Sequence, residues 1–173
     1  MERWSIPSAP FISGADLPMF TVKTPHKPLA KKVNIFWFRR DLRLDDNVGF
    51  YKALLGKFPV LPIFIFDTEI LNELPKEDAR VTFIFETLQK MRSELQENGS
   101  SIALYHGNPE AVFKSIISEF EVQHIITNRD YEPYARERDK KIEKFLSEKN
   151  IGFHTFKDQV IFEKDEIVKD NGD

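Results

Sequence analysis

Val33-Asn34-Ile35-Phe36-Trp37-Phe38-Arg39-Arg40-Asp41-Leu42-Arg43-Leu44-Asp45-Asp46-Asn47 is the stretch whose reading decides the fold. Its first part, Val33–Phe38, is a mostly apolar run of strand length and reads as a buried strand. Directly after it come three arginines (Arg39, Arg40, Arg43) and three aspartates (Asp41, Asp45, Asp46), with no glycine among them. Side chains interleaved in this way can hold one another by bidentate, charge-assisted hydrogen bonds. In an open α/β sheet, ligands collect just beyond the carboxyl ends of the strands, and Phe38 is such an end.

From there the chain alternates. Asp46 or Asn47 caps a short helix, predicted to turn Val48, Tyr51 and Leu55 inward and to close at Gly56. A second strand spans Val60–Phe66, with full pairing expected only from Ile63 because Pro62 lacks an N–H. A long helix runs from about Glu77 to Glu97, with Val81, Ile84, Leu88, Met91 and Leu95 at helical spacing and a stop at Asn98-Gly99. Strand three is Ser101–Tyr105. Gly107 turns the chain, Asn108 caps, and Pro109 opens a helix whose stripe is Phe113, Ile116, Ile117 and Phe120. Strand four is Val122–Thr127. A helix from about Tyr134 to Lys149 buries Ile142, Phe145 and Leu146, and strand five is Ile151–Phe156. Strands alternating with helices imply parallel pairing with right-handed crossovers, hence a Rossmann-like, three-layer α/β domain.

Residues 1–30 differ: half of the ten prolines lie there and no periodic pattern persists. They read as a disordered or extended leader, residues 31–162 as the α/β domain, and 163–173 as a charged tail. A net charge of −3, from 25 basic and 28 acidic residues, leaves no basic stripe of the kind a small domain needs to bind nucleic acid unaided. The chain has no cysteine, which excludes disulfides, thiolate catalysis and Cys-ligated zinc and fits a reducing, cytoplasmic setting. No apolar run approaches the roughly 20 residues of a membrane span. The four histidines are scattered, with no helical i, i+4 pair, and His124 reads as a core or edge residue rather than a metal ligand. No G-x-G-x-x-G or G-x-x-x-x-G-K-[ST] motif occurs. No catalytic residue and no metal site are assigned.

The run Trp37-Phe38-Arg39-Arg40-Asp41-Leu42-Arg43-Leu44 followed by Asp46-Asn47 resembles the opening motif of the DNA photolyase/cryptochrome family. Asn128-Arg129-Asp130-Tyr131-Glu132-Pro133-Tyr134-Ala135-Arg136-Glu137-Arg138-Asp139 resembles the family's segment after its fourth strand. The resemblance covers roughly Lys31–Asp173 and corresponds to the family's N-terminal α/β domain. It implies strand order 3-2-1-4-5. It also implies a helical domain beyond this chain that holds FAD and meets damaged DNA, and an antenna chromophore in the domain itself. Antenna-lining positions carry over to Arg39, Arg40, Asp67, Arg80, Asp130, Glu132 and Arg138. A bracing role competes with ligand contact. For Asp41, Arg43 and Asn47 bracing is favoured, and for Asp67, Asp130 and Glu132 the two readings stand level. Where folate-antenna members have Asn-Glu, this chain has Tyr134-Ala135, so the resemblance implies a flavin or deazaflavin antenna and disfavours folate.

Three functions follow as expectations. One is the antenna-type domain of a deoxyribodipyrimidine photolyase, an enzyme that repairs pyrimidine dimers in DNA with light; the fragment alone is expected to be inactive and monomeric. Another is a cryptochrome-type blue-light photoreceptor. The last, from a different class, is a free-standing module with an adenine nucleotide at the switch point between strands one and four.

Overall fold

The computed structural model describes residues 32–160; the expected leader and charged tail lie outside the described residues. Five parallel strands, β1 (Lys32–Phe38), β2 (Val60–Asp67), β3 (Ala103–Gly107), β4 (Glu121–Asn128) and β5 (Gly152–Phe156), form one sheet in the order β3-β2-β1-β4-β5. The helices are α1 (Val48–Leu54), α2 (Thr68–Leu71), α3 (Ala79–Glu97), α4 (Pro109–Glu119) and α5 (Pro133–Ser147).

β1 is central, and all six residues Val33–Phe38 are buried. Alternation along the strand divides them between two cores. Phe36 and Phe38 meet Phe50 and Ala53 of α1 and Leu88, Met91 and Leu95 of α3. Ile35 and Trp37 meet Val112, Phe113 and Ile116 of α4 and Ile142 and Leu146 of α5. Apolar side chains on both faces of one strand require helices on both faces of the sheet, which is the three-layer arrangement.

Several expected boundaries and phases shift. α1 buries Gly49, Phe50 and Ala53, whereas Val48, Tyr51 and Leu55 are exposed. Its phase is set at its first turn. Asn47 caps it, and Gly49 lies so close to Asn128 that a Cβ would fall 2.3 Å from the Asn128 Oδ1. That approach forces the 49–50–53 face inward. β2, by contrast, pairs with β1 from Val60 and with β3 only from Ile63, so it is paired on both sides from Ile63 onward, as Pro62 implies. β3 begins two residues later than expected, and Ile102, fully buried, precedes it. α2 was not anticipated; Asp67 caps it by accepting from the Glu69 amide. α3 starts after Asp78, whose carboxylate accepts from the Arg80 amide. Of its stripe, Leu88, Met91 and Leu95 are buried, and Val81 and Ile84 are half-buried.

Leu88 is fully buried at the centre of the α3 core. Leu88→Ala should therefore lower stability by about 2–5 kcal/mol, read as a fall in the urea midpoint at unchanged slope. Gly49→Ala should also destabilise, because its Cβ collides with a buried amide that itself holds hydrogen bonds; a midpoint equal to the parent's would refute that account of the phase of α1.

Candidate functional site

The chain leaves β1 through a turn built on Asp41. This buried carboxylate accepts from the Arg39 amide (3.0 Å) through Oδ1, and from Asn128 Nδ2 (2.6 Å) and Asn47 Nδ2 (3.2 Å) through Oδ2. Asn128, at the end of β4, also donates to Asn47 Oδ1 (2.8 Å) and accepts from the Gly49 amide (2.9 Å). Asn47 caps Phe50, and its carbonyl takes the Tyr51 amide. Asp158 accepts from the Val48 amide (3.1 Å) and pairs with Arg43 (2.7 Å). The four amides that open α1 are therefore all engaged. A helix N-terminus binds phosphate through such amides when they are free. At the switch point between β1 and β4 the expected adenine nucleotide would have to break these bonds, which argues against the free-standing nucleotide module. Asp41, Arg43 and Asn47 brace the turn.

A second group joins the ends of β1, β2 and α5. Arg39 sends Nη1 to both oxygens of Asp139 (2.8 and 2.7 Å) and Nη2 to the Asn128 carbonyl. Arg138 reaches Asp139 Oδ1 (3.2 Å), and its Nη1 lies 3.7 Å from Asp67 Oδ2. The Tyr134 hydroxyl donates to the same Asp67 oxygen at 2.7 Å. Both guanidinium groups stack on Trp37, at 5.0 Å for Arg39 and 4.7 Å for Arg138, a cation–π arrangement strengthened by burial. Burial lowers the Arg39 guanidinium from its ordinary value, and Asp139 opposes that shift. Two arginines face two aspartates, so the buried charge balances.

The remaining expected residues lie outside this group. Arg40 pairs with Glu132 at 3.0 Å and stands 4.0 Å from Asp130. Arg40 and Glu132 are largely exposed there, so solvent screens their attraction. Arg80 is further out. It bonds the α3 cap Asp78, which it pulls down to about 2, and the aspartate raises the arginine in turn. Thus Arg39, Asp67 and Arg138 come together in one buried cluster; Arg40 and Glu132 form an exposed pair beside Asp130, whose side chain is largely buried and whose charge also reaches Arg39; and Arg80 joins neither.

A cleft of about 240 Å³ opens between α4 and α5, beside the start of α2. Of the seven expected residues only Arg138 lines it, together with Tyr134, Lys141, Glu69, Glu110 and Glu137. Sequence reasoning treated Tyr134 only as a departure from the folate pattern and Asp139 only as the end of a motif. The available signal was spacing: Tyr134 and Arg138 are i, i+4 on one helix face, and Asp139 adjoins the arginine that must be neutralised. The cluster offers fixed donors and acceptors around an aromatic floor. Among the described residues no set of three or more His, Cys, Asp or Glu is placed to hold a metal, and no helix is long and apolar enough to cross a membrane.

Residues 34–173 match the family model for DNA photolyase. A deoxyribodipyrimidine photo-lyase from a Synechococcus species is 30% identical over 138 residues, which cover 80% of this chain and 28% of that protein. Cryptochrome-1 of Drosophila melanogaster is 28% identical over 145 residues, covering 80% of this chain and 27% of the relative. Among solved structures, the archaeal photolyase of Sulfolobus tokodaii has a TM-score of 0.72 and 34% identity, over 79% of this chain and 32% of that one. The chain thus spans less than a third of each of these proteins. The family match and the sheet order agree, and this chain belongs to the DNA photolyase family, of which it carries the N-terminal α/β domain.

Proposed function

We propose that this chain is the antenna-chromophore domain of a deoxyribodipyrimidine photo-lyase, and that a longer flavoprotein containing it repairs pyrimidine dimers in DNA with light. FAD and the damaged DNA would be held by a helical domain outside this chain, with which the α/β domain would pack. The observation that carries the reading is the preorganised set of donors and acceptors at the ends of β1, β2 and β4. It is supported by the Sulfolobus tokodaii photolyase, which was solved with two FAD molecules, taken to imply a novel light-harvesting cofactor. Energy transfer makes and breaks no bond, so such a site needs no acid, base or nucleophile. The chromophore carries the photochemistry, and the protein supplies orientation and electrostatics.

The chromophore we propose is a flavin or deazaflavin. A ring edged with N–H and carbonyl groups needs both acceptors and donors. Arg138 and Tyr134 stand at the cleft wall with Asp67 behind them. Outside the cleft lining, Arg40 and Glu132 would supply exposed charges of both signs and Asp130 a largely buried acceptor beside them, Arg39 braces the cluster from β1, and Arg80, committed to Asp78, is the outlying member of the expected set. Three glutamates against Arg138 and Lys141 along the cleft favour a ring there over a phosphate tail. Ala135 is buried and carries no carboxylate, which disfavours folate held through that position. A cryptochrome-type photoreceptor is the second reading, favoured by the likeness to the Drosophila protein.

Titrating the chain with FMN, a deazaflavin and methenyltetrahydrofolate tests the chromophore. Flavin-type binding is expected, and Asp130→Ala should weaken it by about 1–3 kcal/mol. Tight folate binding unchanged by Asp130→Ala would overturn the assignment. Illuminated with reduced flavin and thymine-dimer DNA, the 173-residue chain should repair no more than free flavin does; repair above that background would place catalysis in this domain.

Tyr134 gives an independent check on the cluster. Burial, reinforced by the Asp67 carboxylate, raises its phenol well above the ordinary value near 10. Its folded value is raised, so the stability it lends is fully present below about pH 10 and is lost as the pH rises through the higher folded value. Ultraviolet titration should show that Tyr134→Phe removes one late-ionising group and leaves that of Tyr105, whose phenol burial also raises. A difference titration centred near the ordinary tyrosine value would contradict the Tyr134–Asp67 bond.

A further inference from the structure

The fold brings together two histidines that stand thirty positions apart in sequence. His124 lies on β4 and His154 on the edge strand β5, and Nδ1 of the first stands 3.1 Å from Nε2 of the second. The register explains the meeting: His124 is paired with Gly152 and Ile126 with His154, so both rings rise from the same face of the sheet. Gly152 makes the room. A Cβ at that position would fall 2.4 Å from the His124 Nδ1 and 2.8 Å from the His154 Nε2, so the rings can face each other only above a glycine. One strand further in, Asn34 is the register partner of His124. It is 3% exposed, and its amide oxygen has no hydrogen-bond partner.

We propose that His124 and His154 form a two-nitrogen site for a divalent late first-row transition ion: copper(II), nickel(II) or zinc(II). Imidazole suits these ions. Two nitrogens each about 2.05 Å from one ion stand roughly 3.3 Å apart at the tetrahedral angle and roughly 2.9 Å apart at a right angle. The observed separation falls between the two, so the distance suits a shared ion once the hydrogen bond between the rings is given up and both lone pairs turn toward it. Among the described residues no third His, Cys, Asp or Glu completes a set, so the other positions fall to water. Copper should bind most tightly of the three. The ion would tie the edge strand to β4 on the face of the sheet opposite α4 and α5, which wall the proposed chromophore cleft.

The test is calorimetric titration of the 173-residue chain with each ion, together with thermal melts. One equivalent should bind and raise Tm, as any ligand of the folded state does. His154→Ala and His124→Ala should each weaken binding at least tenfold and abolish the Tm shift. His154 is exposed, so its variant is expected to fold. Gly152→Ala keeps both histidines but displaces the rings, and it too should bind at least tenfold more weakly; this outcome separates a built pair from histidine content alone. His106→Ala, on the opposite edge strand, should bind like the parent. Equal affinity in the parent and His154→Ala, or no saturable binding of any of the three ions, would overturn the proposal.

Discussion

Two guanidinium groups buried on one tryptophan set the terms for the carboxyl end of this sheet. A buried cation is tolerable only when a partner charge and hydrogen bonds replace the water it has lost. Arg39 emerges from the central strand with its side chain turned back over Trp37, so its partner must come from whatever element covers that face. α5 supplies Asp139. It also brings Arg138, a second buried cation, which needs a second anion and draws on Asp67 at the end of β2. Three elements distant in sequence are thereby tied to one another by charge as well as by the apolar cores on either side. Ion pairs of this kind add little net stability over an apolar equivalent, yet removing one partner strands a buried charge. Their contribution is to specificity of arrangement.

The turn on Asp41 follows from the same constraint. Arg39 takes the Asn128 carbonyl with its guanidinium, while its own amide is held by Asp41, which also binds the Asn128 side chain. One asparagine at the end of β4 thus ties together the strand end, the following turn and the first turn of α1. The cost is that α1 loses the amides a dinucleotide-binding fold leaves open. Two sheets of the same topology can therefore part company in ligand chemistry at a single crossing. An open glycine-rich turn offers amides to phosphate, whereas a crossing filled with Arg, Asp and Asn offers rigidity.

The strand and helix alternation was legible because both cores are strongly apolar and the breakers are local: Asn98-Gly99, Gly107 and Pro109 act within their own neighbourhoods. The strand order followed from resemblance, since nothing in the alternation says which strands are neighbours. What the sequence concealed depended on contacts across the sheet. α1 contains apolar residues on more than one face, and it is the close approach of Gly49 to Asn128, which only a residue without a Cβ can make, that decides which face turns in. Among the polar residues, the seven expected at the site were carried over by resemblance, six of them near strand ends and Arg80 at the start of the long helix. Resemblance does not say which side chains meet across the sheet, so Arg80 fell outside both groups and Tyr134 and Asp139 were overlooked. The two histidines met for the same reason: their proximity is a fact of register between β4 and β5.

A rigid floor and a soft rim make different demands on a planar chromophore. Arg39, Asp139 and Arg138 satisfy one another and have little freedom to move, so they can set the orientation of a ring placed against Tyr134 without rearranging. Arg40 and Glu132 pay little to separate, because water already screens them. Under the proposed reading, binding a ring there would trade one exposed ion pair for contacts with the ligand while the buried charges stay paired. Energy transfer between two chromophores depends on their relative orientation, so the orienting groups belong on the fixed elements and the adaptable ones at the edge. The distribution of buried and exposed ion pairs in this domain has that form: fixed pairs join β1, β2 and α5, and loose ones lie where the chain leaves β1 and β4.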